Sequence, residues 1–202
     1  MIHSMEALSG AFLDPPMGAQ KAFRLALAAM SRPATIIEAD ARPLFGGRPP
    51  VSPLLAALLL TLIDGRTPVY LTPDLKKASE WLAFHAAAVI AEEPDEAAFV
   101  VSSTLSALPP LASLSQGLER YPDRSATVLA GSDLGSPGLA VWASGPGLKE
   151  PRLAGDLGLD DRFVGQWEDN HAAYPLGVDV FLASDKALAA LPRSTKLSRK
   201  AP

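Results

Sequence analysis

The stretch GPGLKEP, residues 145–151, places a lysine in a glycine-rich turn directly after a strand-like segment. A lysine amine can form a Schiff base with pyridoxal phosphate, while an aspartate on another strand pairs with the pyridinium nitrogen. Lys149 with Asp179 or Asp133 supplies this minimal set of groups. Nothing in the sequence brings these residues together, and lysines in turns are most often solvated surface charges. The latter is the interpretation we favour for Lys149.

Asp179 stands in a strand-like run, VDVFL (178–182), in which valines flank the carboxylate. This pattern predicts a strand with a buried face, and burying an unpaired carboxylate costs free energy. A partner is therefore expected. Arg193 lies just beyond a proposed return strand, which can bring its guanidinium back to the start of the first strand. We predict a structural ion pair between Asp179 and Arg193 rather than a catalytic acid.

Most familiar catalytic and metal sites leave sequence patterns that this chain lacks. The three histidines, His3, His85 and His171, are never spaced as zinc ligands. The nucleophile elbow GxSxG and the phosphate-binding patterns GxxxxGK[ST] and GxGxxG do not occur. The sequence contains no cysteine, which excludes disulfides, thiolate nucleophiles and cysteine-ligated iron–sulfur clusters. The residue pattern therefore predicts no catalytic residue, no metal and no cofactor.

Length and composition are typical of one globular domain. The chain has 202 residues, 48% of them hydrophobic, so we predict a single domain over 1–202 with flexible tails at 1–11 and 196–202. A net charge of −4 offers no basic surplus for a phosphate backbone, and we predict no nucleic-acid partner. The run PLLAALLLTLI (53–63) is shorter than the ~20 residues that cross a bilayer, which predicts a buried helix and no membrane association. The start MIHSMEALSGAFLDPP lacks the features of a signal peptide and predicts a cytoplasmic protein.

Hydrophobic periodicity predicts alternating helices and strands. The clearest helix ends before Pro33 and has Lys21 and Arg24 on its flank. Its predicted buried face consists of Ala19, Ala22, Phe23, Ala26, Leu27 and Met30. Further helices are predicted over 53–63, with Ser52 as N-cap, over 75–85 and over 159–170. The predicted strands are TIIEA (35–39), PVYL (68–71), AAVIA (87–91), AAFVV (97–101), ATVLA (126–130), LAVWA (139–143), VDVFL (178–182) and ALAAL (187–191).

Two pairs of neighbouring strands are spaced as antiparallel hairpins. ATVLA and LAVWA are joined by the turn-forming stretch GSDLGSPG (131–138), and VDVFL is followed by a short turn and ALAAL. By propensity ALAAL is equally compatible with a helix, and its shortness favours the strand. Together these elements predict an α/β fold, a mixed β-sheet flanked by helices with antiparallel hairpins toward the C-terminus.

Six segments, in their order and spacing, resemble the PhnH family, the H subunit of the bacterial carbon–phosphorus lyase system. They are FRLALAAMSRP, LLLTLIDGRTPVYL, the FH of WLAFH, GLERYPDRSATV, LAVWASGPG and YPLGVDVFLASDKALAALPRST. The match runs from about Phe12 to Thr195, and its most specific parts are FR-x5-M-x2-P and PLG-x-D with the PRST ending. One residue departs from the family pattern, since Ala34 stands where the family usually has glycine.

The resemblance implies a cytoplasmic subunit of the phosphonate-degrading core complex, assembled with the G, I and J subunits. That complex joins an alkylphosphonate to the ribose of ATP with loss of adenine, giving ribose 1-phosphonate 5-triphosphate. In the family picture the I subunit carries the nucleosidase chemistry and the J subunit the radical step, whereas the H subunit has no established active site. The resemblance also implies a fold like that of pyridoxal-phosphate-dependent transferases without the cofactor, and a homodimer when the protein is isolated.

Three hypotheses about function are therefore open. We favour an accessory subunit over a stand-alone enzyme of the pyridoxal phosphate type that uses Lys149. In the third hypothesis the chain keeps the cleft that holds the cofactor in pyridoxal-phosphate-dependent transferases. This cleft would bind a phosphonate or a nucleotide phosphate through helix N-termini and arginines. The predicted ligand-binding residues of that cleft are Arg24, Arg32, His85, Asp179 and Arg193. Each arginine is more often a surface or ion-paired group, and His85 at a helix end is more often structural.

Overall fold

The computed structural model describes residues 9–201. Within this range the α-helices are α1 (Pro15–Ser31), α2 (Pro53–Leu62), α3 (Ser79–Ala86) and α4 (Asp161–Ala172). The strands are β1 (Ile37–Glu38), β2 (Pro68–Leu71), β3 (Val89–Ile90), β4 (Phe99–Ser102), β5 (Thr127–Gly131), β6 (Val141–Ser144), β7 (Arg152–Ala154), β8 (Asp179–Ala183), β9 (Ala187–Leu191) and β10 (Lys196–Ser198). The predicted α/β class with a mixed sheet and helices is confirmed.

A seven-stranded sheet in the order β1-β9-β8-β5-β4-β2-β3 is the centre of the fold. Strands β3, β2, β4, β5 and β8 are parallel, whereas β9 is antiparallel to β8, and β1 is antiparallel to β9. The hairpin predicted for 178–182 and 187–191 is therefore confirmed. A smaller antiparallel sheet in the order β10-β6-β7 packs beside the large one.

Alternating residues of the large sheet enter two hydrophobic cores, because successive side chains on a strand point to opposite faces. On one face Val101, Leu129 and Phe181 pack with α1, α2 and α3. On the other face Val100 and Val128 pack with α4, the small sheet and the segment 105–114. Strands buried on both faces are continuous apolar runs, as is typical of parallel sheets. The sheet is consequently the middle layer of three.

The hairpin predicted between ATVLA and LAVWA is wrong. Strand β5 pairs in parallel with β4 on one edge and β8 on the other, so no edge remains for β6. Strand β6 pairs with β7 and β10 instead. The physical reason is burial: Val128, Leu129 and Ala130 are fully buried, and only a central position in the large sheet covers both of their faces. The intervening stretch 132–138 becomes a loop between the two sheets.

The predicted helices are present with shifted ends and, in one case, a different buried face. Helix α2 confirms the buried apolar helix with proline at its first position, although the Ser52 side chain makes no capping bond. The helix predicted over 75–85 begins as a 3-10 turn over 73–78 and continues as α3. Helix α1 buries the small residues Gly18, Ala22, Ala26 and Ala29. Phe23 and Leu27, predicted to be buried, are 49% and 55% exposed because α1 packs closely on α2 and β9 through its small residues.

The chain ends are partly described. Trp81 Nε1 donates a hydrogen bond to the Ser9 carbonyl over 3.0 Å, which attaches the start of the described chain to α3. Residues 196–198, within the predicted C-terminal tail, form β10. His3 and residues 1–8 of the predicted N-terminal tail lie outside the described residues. None of the helices within 9–201 combines the length and hydrophobicity that a membrane span requires.

Candidate functional site

A serine follows each of three neighbouring parallel strands at the same edge of the large sheet. Ser103 follows β4, Ser132 follows β5 and Ser184 follows β8. All three line a cleft of about 1380 Å³. In open α/β sheets ligands bind outside the carboxyl ends of the strands, where connections leave in opposite directions. The connection from β2 leads to β3 on one side, and that from β4 leads to β5 on the other. This cleft is therefore the candidate ligand site.

Two segments form the walls of the cleft. One is the glycine- and proline-rich loop before α2, which contributes Arg42, Arg48 and the helix start at Ser52. The other comprises the 132–136 loop and the start of α4 at Asp160. The volume of the cleft, about 1380 Å³, exceeds the ~300–1,000 Å³ typical of small-molecule pockets. The cleft is therefore large enough for a ligand of nucleotide size.

The charges in the cleft are mixed. Arg42 is neutralised by Asp40, with Nη2 2.6 Å from Oδ2 and Nε 2.9 Å from Oδ1. Side-chain and backbone hydrogen bonds from Arg42 lower the pKa of Asp40 to about 2. Arg48 and Lys186 form no salt bridge with any residue in 9–201, although the charge of Lys186 is near enough to Asp40 to help lower its pKa. Asp133, Asp160 and Asp185 bring carboxylates to the same cleft.

Asp74 lies in the segment after β2, and Ser103 lies in the loop after β4. A hydrogen bond between their side chains connects these two segments. The Ser103 hydroxyl donates a hydrogen bond to Asp74 Oδ2. Partial burial acts to raise the pKa of Asp74, but hydrogen bonds from the side chains of Ser103 and Thr72 and from the backbone outweigh it, so the pKa lies below its ordinary value. A carboxylate with a lowered pKa is a weak proton acceptor at neutral pH. Asp74 is absent from the described lining of the cleft, so the pair positions the loop that carries Ser103 and is a poor candidate for activating a nucleophile.

Gly131 permits the close approach of two strand ends at the base of the cleft. A Cβ added at this residue would collide with the backbone carbonyl of Ser103. Any larger residue would push apart the loops that follow β4 and β5. The shape of the cleft thus depends on glycine at this position.

The predicted ion pair between Asp179 and Arg193 is confirmed. Asp179 Oδ1 accepts from the Arg193 backbone N–H (2.7 Å) and Nε (3.2 Å), and Oδ2 accepts from Nη2 (2.6 Å). Arg193 Nη1 also donates to the Pro122 carbonyl over 2.7 Å. Asp179 begins β8, whereas the cleft lies beyond the last residue of that strand, about 15 Å away at the usual rise of a strand. The ion pair therefore lies at the amino ends of the parallel strands, whereas the cleft lies at their carboxyl ends.

The other three predicted ligand-binding residues also lie away from the cleft, whose described lining contains none of the five. Arg24 is on the exposed side of α1. Arg32 follows the last residue of α1, and its Nε donates to the Ala28 carbonyl over 3.4 Å. His85 is near the end of α3, in edge contact with the rings of Trp81 and Phe84. Only Asp179 and Arg193 are brought together, and ligand binding by the five remains a prediction.

The residues predicted as partners of pyridoxal phosphate, Lys149 with Asp179 or Asp133, do not lie together in one site. Lys149 is exposed in the turn after β6 and is absent from the described cleft lining. Asp179 is held by Arg193 at the far edge of the sheet, whereas Asp133 lines the cleft. The lysine that does line the cleft is Lys186. Residues 9–201 contain no group of three or more His, Asp or Glu side chains that could hold a metal ion.

The residues that line the cleft have a sequence pattern that is not among the familiar catalytic and phosphate-binding motifs. Each of the three strands reads as an apolar run closed by serine, in VVSS, VLAGS and VFLAS. The Gly-Gly-Arg-Pro-Pro segment at 46–50 then precedes a helix. Adjacent parallel strands place such termini together, but the strand order was needed to recognise which termini are neighbours.

Comparison with known proteins gives the family. The sequence model of the bacterial phosphonate metabolism protein PhnH matches residues 10–198. The chain belongs to the PhnH family. It is 35% identical over 204 residues, covering 99% of this chain and 100% of the relative, to the alpha-D-ribose 1-methylphosphonate 5-triphosphate synthase subunit PhnH of Rhizobium meliloti (strain 1021). It is 30% identical over 190 residues, covering 90% of this chain and 86% of the relative, to the putative C-P lyase subunit protein HtxG of Stutzerimonas stutzeri.

Two of the six segments that carry the resemblance to the PhnH family meet near the start of β8. Asp179 of the PLG-x-D segment pairs with Arg193 of the PRST segment, which in turn donates to Pro122 of GLERYPD. Ala34 has φ +55° and is fully buried. This left-handed conformation favours glycine, in keeping with the glycine that the resemblance leads us to expect at this position.

Proposed function

We propose that this chain is an accessory subunit of the carbon–phosphorus lyase core complex. The observation that carries the proposal is the end-to-end match to the Rhizobium meliloti protein, which is named as a subunit of ribose 1-methylphosphonate 5-triphosphate synthase. The second relative, named as a putative C-P lyase subunit, agrees with this assignment. Within the complex an alkylphosphonate oxygen would replace adenine at the ribose of ATP, giving ribose 1-phosphonate 5-triphosphate.

The finer parts of the proposal concern partners and activity. The partners are the G, I and J subunits, and the isolated chain is a cytoplasmic homodimer. We assign no catalytic step to it, because the serines that line the described cleft are not accompanied by a histidine that could act as their base. Its contribution is to support the assembly through its surfaces, and its cofactor-free likeness to pyridoxal-phosphate-dependent transferases is part of this proposal.

Co-expression with the G, I and J subunits tests the subunit assignment. The expected result is a single peak in size-exclusion chromatography that contains this chain and its partners at fixed stoichiometry by mass analysis. The purified chain alone should release no adenine from ATP and methylphosphonate. A chain that never associates with the other subunits, or that releases adenine by itself, would contradict the proposal.

A second candidate function, ligand binding in the cleft, is favoured by the position of the cleft at the carboxyl ends of the parallel strands. The unpaired cations Arg48 and Lys186 suit a phosphate or phosphonate, and the serines suit ribose hydroxyls. ATP and methylphosphonate are the probes, and binding raises the melting temperature increasingly as the ligand concentration rises above the Kd. The rise should be lost in Arg48→Ala and Lys186→Ala and retained in Lys149→Ala, which removes a charge outside the cleft. Equal rises in all variants would exclude the cleft as the site.

The pyridoxal phosphate hypothesis has a direct spectroscopic test. A Schiff base with Lys149 would give visible-edge absorbance that disappears in Lys149→Ala. We expect a colourless protein, because Lys149 does not reach the cleft. A coloured wild-type protein with a colourless variant would restore the enzyme hypothesis.

A further inference from the structure

Helix α1 packs with its small residues inward and its large apolar residues outward. Its buried positions are Gly18, Ala22, Ala26 and Ala29. Met17, Phe23 and Leu27 are 47%, 49% and 55% exposed. An amphipathic surface helix normally has the opposite arrangement, with its large apolar side chains against the core. Exposed large apolar side chains that cluster on one rigid element are typical of an interaction surface.

The exposed apolar residues all lie on the side of α1 that faces away from the core. At 3.6 residues per turn, Phe23 and Leu27 are neighbours four residues apart, and Met17 lies nearly three turns before Leu27 and about 80° around the helix from it. Together they span about 15 Å along the helix, at a rise of about 1.5 Å per residue over ten residues. We call the group Met17, Lys21, Phe23, Arg24 and Leu27 the outer face of α1.

The outer face of α1 is also positively charged. Lys21 and Arg24 are exposed, and α1 contains no aspartate or glutamate. Neither cation forms an ion pair with a residue in 9–201. The chain as a whole carries a net charge of −4, so this cationic surface contrasts with the balance of the protein. Complementary charge is the means by which protein surfaces select partners and suppress wrong ones.

We propose that the outer face of α1 binds an acidic, apolar-lined groove on another subunit of the assembly. A helix whose apolar side chains are spaced along one side fits a hydrophobic groove, and carboxylates at the rim of the groove would pair with Lys21 and Arg24. A second copy of the chain is a poorer partner, because a two-fold interface centred on this face brings the same cations together. The proposal rests on the subunit function proposed above.

Variants on the outer face test the proposal without disturbing the core. Phe23→Ser and Leu27→Ser remove apolar contact, and Arg24→Glu reverses a charge. Leu153→Ser on β7, where the side chain is 53% exposed, is the matched apolar control. Lys149→Glu, in the turn after β6, is the matched charge control. Circular dichroism and thermal unfolding of each variant establish that it folds as the wild type does.

The measurement is the affinity of the purified chain for the co-expressed complex of the remaining subunits. Phe23→Ser should weaken binding at least tenfold, since buried aromatic residues dominate interface energies. Arg24→Glu should slow association and reduce its dependence on salt. Both controls should bind within about twofold of wild type.

The outcomes separate the two proposals. If the wild-type chain does not bind the complex, the subunit function and the surface both fail. If the wild type binds and the outer-face variants bind equally well, the surface is overturned while the subunit function stands. If the variants lose only self-association in size-exclusion chromatography, a second copy covers the face and the proposed partner is wrong.

Discussion

Replacing Asp179 by alanine removes the acceptor of three hydrogen bonds from Arg193 and leaves the guanidinium without its counter-charge. The Arg193 and Asp179 side chains are only 14% and 23% exposed, so water restores little of the lost interaction. Breaking a fully buried ion pair costs about 3–5 kcal/mol. With the residual exposure of this pair, we expect a loss of about 2–3 kcal/mol in the free energy of unfolding.

Thermal unfolding of purified variants measures this loss. For a chain of 202 residues, an unfolding entropy of about 2.1 cal/mol/K per residue converts 2–3 kcal/mol into a fall of about 5–7 °C in melting temperature. Arg193→Met and the double variant complete a thermodynamic cycle, whose coupling energy should be at least about 1 kcal/mol.

The Asp40–Arg42 pair provides a matched control. Its Nη2–Oδ2 distance is also 2.6 Å, but its arginine and aspartate side chains are 59% and 42% exposed. Solvent-exposed pairs contribute little to stability, so Asp40→Ala should leave the melting temperature unchanged within error. A melting temperature for Asp179→Ala equal to that of Asp40→Ala, or a coupling energy near zero, would refute the reasoning from burial.

Three further predictions follow from local geometry. Gly131→Ala should destabilise the protein by about 1–3 kcal/mol in chemical denaturation through the collision at the strand ends, whereas Gly165→Ala, which has open space within α4, should be neutral or stabilising. Ala87→Gly should stabilise by about 0.5 kcal/mol in the same assay, because this exposed residue ends α3 with φ +53° in the region that glycine adopts without strain; a loss of stability would contradict this. Carbon-detected NMR titration should give Asp40 a pKa of about 2 that returns to its ordinary range in Arg42→Gln. Because the folded-state pKa is depressed, the contribution of ionised Asp40 to stability is present above the ordinary value of about 3.9 and is lost as the pH falls through about 2; it is small because the pair is exposed, in keeping with the unchanged melting temperature expected for Asp40→Ala, and an unchanged pKa in Arg42→Gln would exclude Arg42 as the cause.

The elements that were predicted correctly depend on residues close together in sequence. Helix α2 follows from an apolar run with proline at its first position, and α4 follows from apolar residues at helical spacing. The β8–β9 hairpin needs only a short turn, and it brings Arg193 back to Asp179. The ion pair could therefore be predicted from the cost of burying a carboxylate on that strand.

The predictions that failed depended on which elements become neighbours. Strands β5 and β6 are spaced as a hairpin, but β5 gains more burial between β4 and β8. Phe23 and Leu27 have the spacing of a buried face, but α1 approaches α2 and β9 most closely through its small residues. Periodicity identifies an apolar side of a helix, and the shape of the opposing surface decides which side is buried.

The sequence by itself determined the fold class, most of the helices and strands, the Asp179–Arg193 ion pair and the PhnH family resemblance, because each is encoded in local spacing or in ordered segments. Only the tertiary structure decided the strand order, and with it the cleft at the ends of β4, β5 and β8. The five residues predicted to bind a ligand lie outside the described lining of that cleft, and the cations there that form no salt bridge are Arg48 and Lys186 instead. The physical reason is that a ligand site forms where distant segments meet, and long-range pairing is set by the burial of whole strands rather than by any one residue.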